Sequence, residues 1–345
     1  MSREKNKKVF VGMSGGVDSS VAAALLKEQG HNVTGVHMIC WEGCENNEDK
    51  QDAMRVCATL GIPFLTFDFR KEYKQAVFDY MVREYEAGRT PNPDVMCNKE
   101  IKFGIFLQRA LSMGADYVAT GHYVRLENGA LKIAKDLNKD QSYFLWTLTQ
   151  DQLCHALFPI GDYLKSEVRE LARKFNLSTS EKKDSQGLCF VGKVDFLDFL
   201  KSSLPVRVGS VLDTAGNKIG EHEGAHFYTI GQRHGLGIGG SAEPLYIAEK
   251  DTARNTIVVA KGRVDPALFS SELIVHDVHW ISGVAPEFPL NCLARIRYRQ
   301  PLQKCTVTNK EKLQFQEPQR AVAPGQSVVF YGEDGAMLGG GIIGA

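Results

Sequence analysis

Six residues near the start of the chain, Ser14-Gly15-Gly16-Val17-Asp18-Ser19, have the types and spacing of an anion cradle. Glycines let a backbone approach a ligand closely and take up φ > 0. A helix starting there presents N–H groups without partners of their own, and its dipole favours negative charge. Ser14 and Ser19 add hydroxyl donors. Asp18 is negative and would not bind a phosphate directly, so a Mg2+ ion between the two, or a helix cap, is its expected role. A tight strand-to-helix turn closed by a capping Asp is the plainer account. The whole hexapeptide between a strand and a helix favours phosphate, although the lysine of the Walker loop is missing.

Two cysteines have neighbourhoods suited to sulfur chemistry. Arg89 to Asn98 contains Pro91 and Pro93, which stiffen the chain ahead of Cys97. Asp94-x-x-Cys97 puts a carboxylate and a thiol on one side of a turn. A carboxylate alone raises a thiol pKa, so Asp94 is read as a base or proton acceptor, with Lys99 and a following helix start favouring thiolate. Cys189 follows Lys182, Lys183 and Gly187, cations and a pliant backbone that help a thiol ionise and stay accessible. Cys57, Cys154, Cys292 and Cys305 are expected to be small buried hydrophobes. Cys40 and Cys44 could supply two metal ligands, but no second Cys/His pair with zinc spacing follows, and no metal site is expected. An iron–sulfur cluster on Cys97, Cys189 and a third ligand stays compatible with the sequence.

The elements that must position these residues alternate through the first half. Val9–Met13, Val33–Ile39, Phe64–Phe69 and Tyr117–Thr120 read as strands. Ser19–Gln29, Gln51–Leu60, Tyr73–Glu86 and Phe103–Met113 read as helices. This alternation predicts an α/β fold with a mainly parallel sheet. Beyond Leu204-Pro205 the chain becomes Gly-rich, with short strands at Val206–Leu212 and His226–Ile230. After Pro266 come Leu273–Val278, Cys292–Tyr298, Lys304–Val307 and Ser327–Tyr331, the pattern of a small antiparallel barrel. The expected division is residues 1–203, 204–265 and 266–345.

The 345 residues suit two or three domains, and 43% hydrophobic content is ordinary for a soluble protein. No apolar run approaches the roughly 18 residues needed to span a bilayer. The basic start at Ser2 to Lys8 leads into only a short apolar stretch, so no signal peptide, no membrane partner and a cytoplasmic location are expected. Lys and Arg total 41, as do Asp and Glu, so any nucleic-acid binding requires basic residues gathered on one face. Eight cysteines in a reducing compartment are expected to be thiols, ligands or catalytic groups.

The hexapeptide is similar to the SGGxDS signature of the PP-loop ATP pyrophosphatases, which implies cleavage of ATP to AMP and diphosphate. Further stretches extend the likeness: Gly12 to Ser19, Thr90 to Asn98, Ala119 to Tyr123, Lys139 to Leu145, the Cys189 segment, Thr229 to Arg233, and Arg297 to Gln300. In this order they resemble the bacterial tRNA-specific 2-thiouridylases, the MnmA family, over nearly the whole chain. The resemblance implies a Rossmann-like parallel-sheet PP-loop domain, a small mixed or β middle domain and a C-terminal antiparallel β-barrel. It implies ATP contacts at Gly12, Met13, Ser14, Gly15, Gly16, Val17, Asp18, Ser19, Met38 and Gly121. It places Asn92, Pro93, Asp94, Val95, Met96, Cys97 and Asn98 around the target base, with Cys97 as nucleophile, Asp94 as acid/base and Cys189 as persulfide carrier. It assigns tRNA contacts to His122, Lys139, Asp140, Gln141, Ser142, Tyr143, Arg297, Tyr298 and Gln326. Positive charge on Lys139 and Arg297 suits phosphate, and Tyr143 and Tyr298 suit base stacking.

The implied reaction uses ATP and Mg2+ to adenylate the C2 oxygen of the wobble uridine 34, then replaces it with sulfur delivered through Cys189. The implied partners are tRNA and a persulfide-donor protein. Two other classes compete. An ammonia-using PP-loop synthetase leaves Cys97 and Cys189 unexplained. A non-catalytic tRNA-binding or sulfur-relay protein leaves the phosphate loop unexplained.

Overall fold

The structure, a computed structural model, describes residues 6–41, 48–183, 200–238 and 243–344; Cys44 and Cys189 lie outside the described residues. Strands β1 (Lys8–Gly12) and β2 (Asn32–Ile39) are buried along nearly their whole length. Runs so apolar on both faces need cover on both sides, which parallel sheets with crossover helices provide. β3 (Phe64–Asp68) and β4 (Tyr117–Ala119) extend this sheet on opposite sides; a hairpin of β5 (Arg125–Glu127) and β6 (Ala130–Lys132) follows, then β7 (Ala156–Leu157). The five-stranded order is β3-β2-β1-β4-β7, with every pair parallel. Between β1 and β4 the strand order reverses, which opens a crevice at their carboxyl ends.

Helix α1 (Val17–Glu28) buries Val21, Ala22, Leu25 and Leu26 against one face of the sheet, beside α2 (Glu48–Leu60). The helix expected over Tyr73–Glu86 is a continuous passage of three parts. These are α3 (Arg70–Tyr73), a π-helical segment at Lys74–Phe78 and α4 (Asp79–Glu86).

The helix expected from Phe103 instead begins at α5 (Pro93–Met96), runs through a π-helical segment at Cys97–Ile105 and ends as α6 (Phe106–Ser112). The reason is local. Asn92 accepts from the Val95 N–H at 3.4 Å, and Pro93 takes the first helical position, where its missing N–H costs nothing. These prolines start a helix as well as stiffening a loop. After α7 (Gln150–Leu153), the amphipathic α8 (Lys165–Lys174) buries Val168 and Ala172 in the same core as α1.

The middle sheet comprises β8 (Gly209–Asp213), β9 (Lys218–His222), β10 (Leu245–Asp251) and β11 (Thr256–Lys261), in the order β10-β11-β8-β9. The strand expected at His226–Ile230 is absent; Ala225–Phe227 forms a 3-10 turn instead. Phe227 and Tyr228 are drawn into a core shared with Met81 and Tyr85 of α4, and that packing outweighs the local β pattern.

The last six strands close on themselves: β12 (Phe269–Trp280), β13 (Leu290–Arg295), β14 (Gln303–Asn309), β15 (Lys312–Arg320), β16 (Ser327–Tyr331) and β17 (Met337–Ile343). The barrel order is β12-β15-β14-β13-β16-β17, and closure removes every exposed sheet edge. No helix among the described residues is long and apolar enough to cross a membrane.

Candidate active site

The glycine–serine loop leaves β1 at the switch point and enters α1 through Gly16, which holds the N-cap position without a side-chain cap. The serines shape the loop instead. Ser19 Oγ lies 3.2 Å from the N–H and from the Oγ of Ser14, and Ser20 Oγ donates to the Gly16 carbonyl at 2.8 Å. Gly15 adopts φ +76°, the left-handed region glycine tolerates. Ser14 is exposed while Ser19 is buried. The first-turn N–H groups of α1 therefore open onto the crevice beside an exposed hydroxyl, an arrangement that binds anions.

The other residues expected at ATP gather around this loop. Met38 comes in from β2, and a Cβ on Gly12 would lie 3.2 Å from its Cε. Gly121, beyond β4, runs so close to α1 that a Cβ there would sit 2.6 Å from the Ser19 nitrogen. Asp18 does not cap the helix. Its carboxylate takes both oxygens to Lys165 Nζ, at 2.7 and 2.9 Å, and accepts from the Tyr123 hydroxyl at 2.9 Å.

Lys165 is the functional candidate that sequence reasoning missed. It opens α8, where a cation opposes the helix dipole; a lysine at that position is a signal that something else demands its charge.

Cys97 begins the π-helical segment and is fully buried. It is part of a helix, one turn after Asp94, whose carbonyl accepts the Cys97 N–H. Asn98 is buried too. Its Nδ2 donates to the Phe144 carbonyl at 3.2 Å, while its Oδ1 has no hydrogen-bond partner. A π-turn inside an α-helix frequently marks a functional position. Cys40 is also buried.

The residues expected on tRNA divide sharply by burial. Asp140, Ser142 and Tyr143 are closed off from solvent. Asp140 pairs with Arg295 of β13, Ser142 Oγ lies 3.0 Å from the Tyr331 hydroxyl, and Tyr143 donates to the Ser327 carbonyl at 2.9 Å. These three side chains tie the parallel-sheet region to the barrel, and surface contact with RNA is not open to them here. Breaking so buried an ion pair leaves an uncompensated charge and costs about 3–5 kcal/mol.

His122 is likewise internal, 2.7 Å from Thr120 Oγ1 and between Phe103 and Phe158. Burial, aided by the positive charge of Lys102, holds its pKa well below the usual histidine value, so it is neutral. Arg297 is half-buried and directs its guanidinium to the carbonyls of Arg320 and Ala321. Gln326 donates to the carbonyls of Thr90 and Pro91. Lys139, Gln141 and Tyr298 keep partial exposure, with Tyr298 against Phe144 at a centroid distance of 4.7 Å.

Two expectations about thiols change. Lys182, expected as a cation activating Cys189, instead has its ammonium 2.6 Å from Asp49 and 2.6 Å from Asp52. Its charge is neutralised locally: burial works against the ammonium, but the two carboxylates outweigh it and raise its pKa. Cys154 is exposed rather than buried and donates to the Asp151 carbonyl. Cys57, Cys292 and Cys305 are buried as expected, and burial pushes the Cys57 thiol up to about 11.

A parallel sheet whose switch point lies under a serine–glycine loop, without a Walker lysine, followed by a mixed sheet and a closed barrel, defines a PP-loop-type α/β protein with two β appendages. The chain matches the family described as tRNA methyl transferase HUP domain over residues 7–193. It also matches the tRNA methyl transferase PRC-barrel domain over 197–261 and the aminomethyltransferase beta-barrel domain over 270–343. It is 49% identical to the tRNA-specific 2-thiouridylase MnmA of Francisella tularensis subsp. novicida, over 98% of this chain and 99% of that one. It is 50% identical to the protein of the same name from Geobacillus thermodenitrificans, over 97% of this chain and 94% of that one. The chain belongs to the MnmA family of tRNA-specific 2-thiouridylases.

Proposed function

We propose that this chain is an ATP-dependent tRNA-uridine 2-sulfurtransferase acting on the wobble uridine 34. The observation that carries the reading is the open N-terminus of α1 at the switch point, flanked by exposed Ser14 and the Lys165 ammonium. The family descriptions speak of methyl transfer, whereas relatives matching nearly the full length are named for thiolation. A phosphate cradle combined with a cysteine-bearing helix suits activation followed by sulfur transfer.

The loop from Gly12 to Ser19, with Met38 and Gly121, holds ATP. A Mg2+ ion would be held by the phosphates, where it would neutralise their charge, and Asp18, the only carboxylate of the loop, would join it on leaving the Lys165 ammonium. The uridine C2 oxygen attacks the α-phosphorus and diphosphate leaves. Sulfur from a persulfide on Cys189 then attacks C2, and AMP leaves. In one route Cys97 first releases the terminal sulfur as hydrosulfide; in the other the persulfide attacks directly and Cys97 resolves the linkage. Both end in a Cys97–Cys189 disulfide. Cys97 is buried, so the target base must open this region as it enters, with Asn92 to Asn98 around it and Asp94 moving the proton.

The anticodon loop presents unstacked bases. Lys139, Gln141 and Tyr298 are the expected tRNA contacts with surface to offer, and Gln326 and Arg297 support them from the barrel. Residues 1–203 carry the chemistry; 204–265 and 266–345 hold the RNA. A persulfide-bearing protein supplies the sulfur, and the reaction takes place in the cytoplasm.

Incubation with tRNA, ATP and a persulfide donor tests the reading. Cys189→Ser should release diphosphate in a tRNA-dependent manner without thiolating uridine, and Cys97→Ser should accumulate added sulfur on Cys189 by mass spectrometry. Donor-dependent thiolation at the wild-type rate by Cys189→Ser would remove the carrier role.

A further inference from the structure

Thr90 lies where all three parts of the molecule meet, and it is buried. Its N–H donates to the Pro324 carbonyl of the barrel at 2.8 Å, and its own carbonyl accepts from Gln326 Nε2 at 2.9 Å. Its hydroxyl lies 3.1 Å from the hydroxyl of Thr229 in the middle region. The barrel backbone approaches so closely that a Cβ on Gly325 would lie 2.8 Å from the Thr90 nitrogen.

The turn that carries Thr229 is itself braced against the barrel. A Cβ on Gly231 would lie 2.4 Å from that of Ala321, whose carbonyl is held by Arg297. In the other direction Thr90 leads through Pro91, the capping Asn92 and Pro93 into the helix that bears Cys97. Two prolines and a capped helix start leave little slack in that path.

We propose that Thr90 is a positioning residue for sulfur transfer, through which the middle region and the barrel together set the helix that carries Cys97. The proposal rests on the reading of Cys97 as a participant in the reaction. The contacts at Thr90 come from two separate segments, Thr229 of the middle region and the Pro324–Gln326 turn of the barrel, so a shift of either appendage is felt at the start of this helix. RNA binding across the appendages would thereby bring the Cys97 helix into its reactive setting. A hydroxyl–hydroxyl hydrogen bond between otherwise separate parts is the most selective point at which to interrupt this coupling, because removing it leaves the backbone contacts to the barrel intact.

The experiment compares Thr90→Val, Thr229→Val, the double variant and Thr90→Ser in the full-length chain with tRNA, ATP and a persulfide donor. Thr90→Val should lower the single-turnover thiolation rate by about tenfold to a hundredfold, the scale set by small misplacements of reacting groups. The KM for ATP, read from diphosphate release in the first turnover, should stay at the wild-type value, which general loss of structure would not allow. Thr229→Val should match it, the double variant should be no slower than either single one, and Thr90→Ser should restore the rate. If Thr90→Val does not fold, Thr229→Val carries the same comparison. A wild-type rate in both valine variants, or losses that multiply in the double variant, would overturn the proposal. Thiolation surviving in Cys97→Ser would instead overturn the reading of Cys97, a separate failure.

Discussion

The Lys165 ammonium grips both carboxylate oxygens of Asp18, at 2.7 and 2.9 Å, and its side chain is only 13% exposed. A cation is thus held at the mouth of the phosphate loop by a loop residue, although the two are 147 positions apart.

Lys165→Met should therefore lower AMP formation by about a hundredfold, as expected for loss of a preorganised charge at a developing anion. Asp18→Ala should impair ATP and Mg2+ use while leaving the fold intact. Diphosphate release assayed across ATP concentrations checks both; normal rates at limiting and saturating ATP would remove the two residues from the site.

Gly121→Ala adds a methyl 2.6 Å from the Ser19 nitrogen and 2.7 Å from the Asp18 carbonyl carbon, both backbone atoms that cannot swing aside. The strain, about 1–3 kcal/mol, should fall on the phosphate loop. The expected result is a raised KM for ATP with little change in tRNA affinity. Unchanged ATP kinetics would mean that the loop has room to move away from this strand end.

Arg297→Ala should destabilise the protein by about 1–3 kcal/mol, because the guanidinium satisfies the Arg320 and Ala321 carbonyls. Urea titration measures this. With the side chain committed to those carbonyls, the salt dependence of tRNA binding should hardly change. A log–log slope shallower by nearly one unit would show that Arg297 reaches a phosphate in the complex instead.

Protonation of His122 should make the fold weaker in mild acid. Burial and Lys102 keep its folded-state pKa well below the ordinary value, whereas the unfolded histidine binds a proton below about 6.5. The unfolded state then holds more protons, so stability present above about pH 6.5 is lost as pH falls. Burial lowers His37, His222 and His226 in the same direction. His122→Gln should flatten the stability curve between pH 6.5 and 5 by at most about 1.4 kcal/mol per pH unit. Urea midpoints at several pH values would show it, and a parallel curve would disprove the buried neutral histidine.

The amino-acid sequence by itself determined what depends on neighbours along the chain. Ser14 to Ser19 between an apolar strand and a helix marked the phosphate loop, because a strand end, two glycines and a helix start are all local features. The alternation through Ala119 marked the parallel sheet, and the short strands after Pro266 marked the barrel. Local rules also contained the start of the Cys97 helix, since Asn92 followed by Pro93 is a capping pattern, although the prolines suggested a loop.

Burial and partnership were decided only by the tertiary structure. Asp140, Ser142 and Tyr143 have the polarity of a surface strip, yet the barrel closes over them and gives Asp140 its partner Arg295, 155 positions away. Lys182 has the composition of an activating cation, yet two carboxylates from α2 neutralise it. Lys165 and Thr90 acquire meaning only when sheet order and docking bring Asp18 and Thr229 beside them. The charge and hydrogen-bonding capacity of a side chain are properties of its type, but which groups satisfy them depends on contacts between distant segments, and local periodicity carries no record of those contacts.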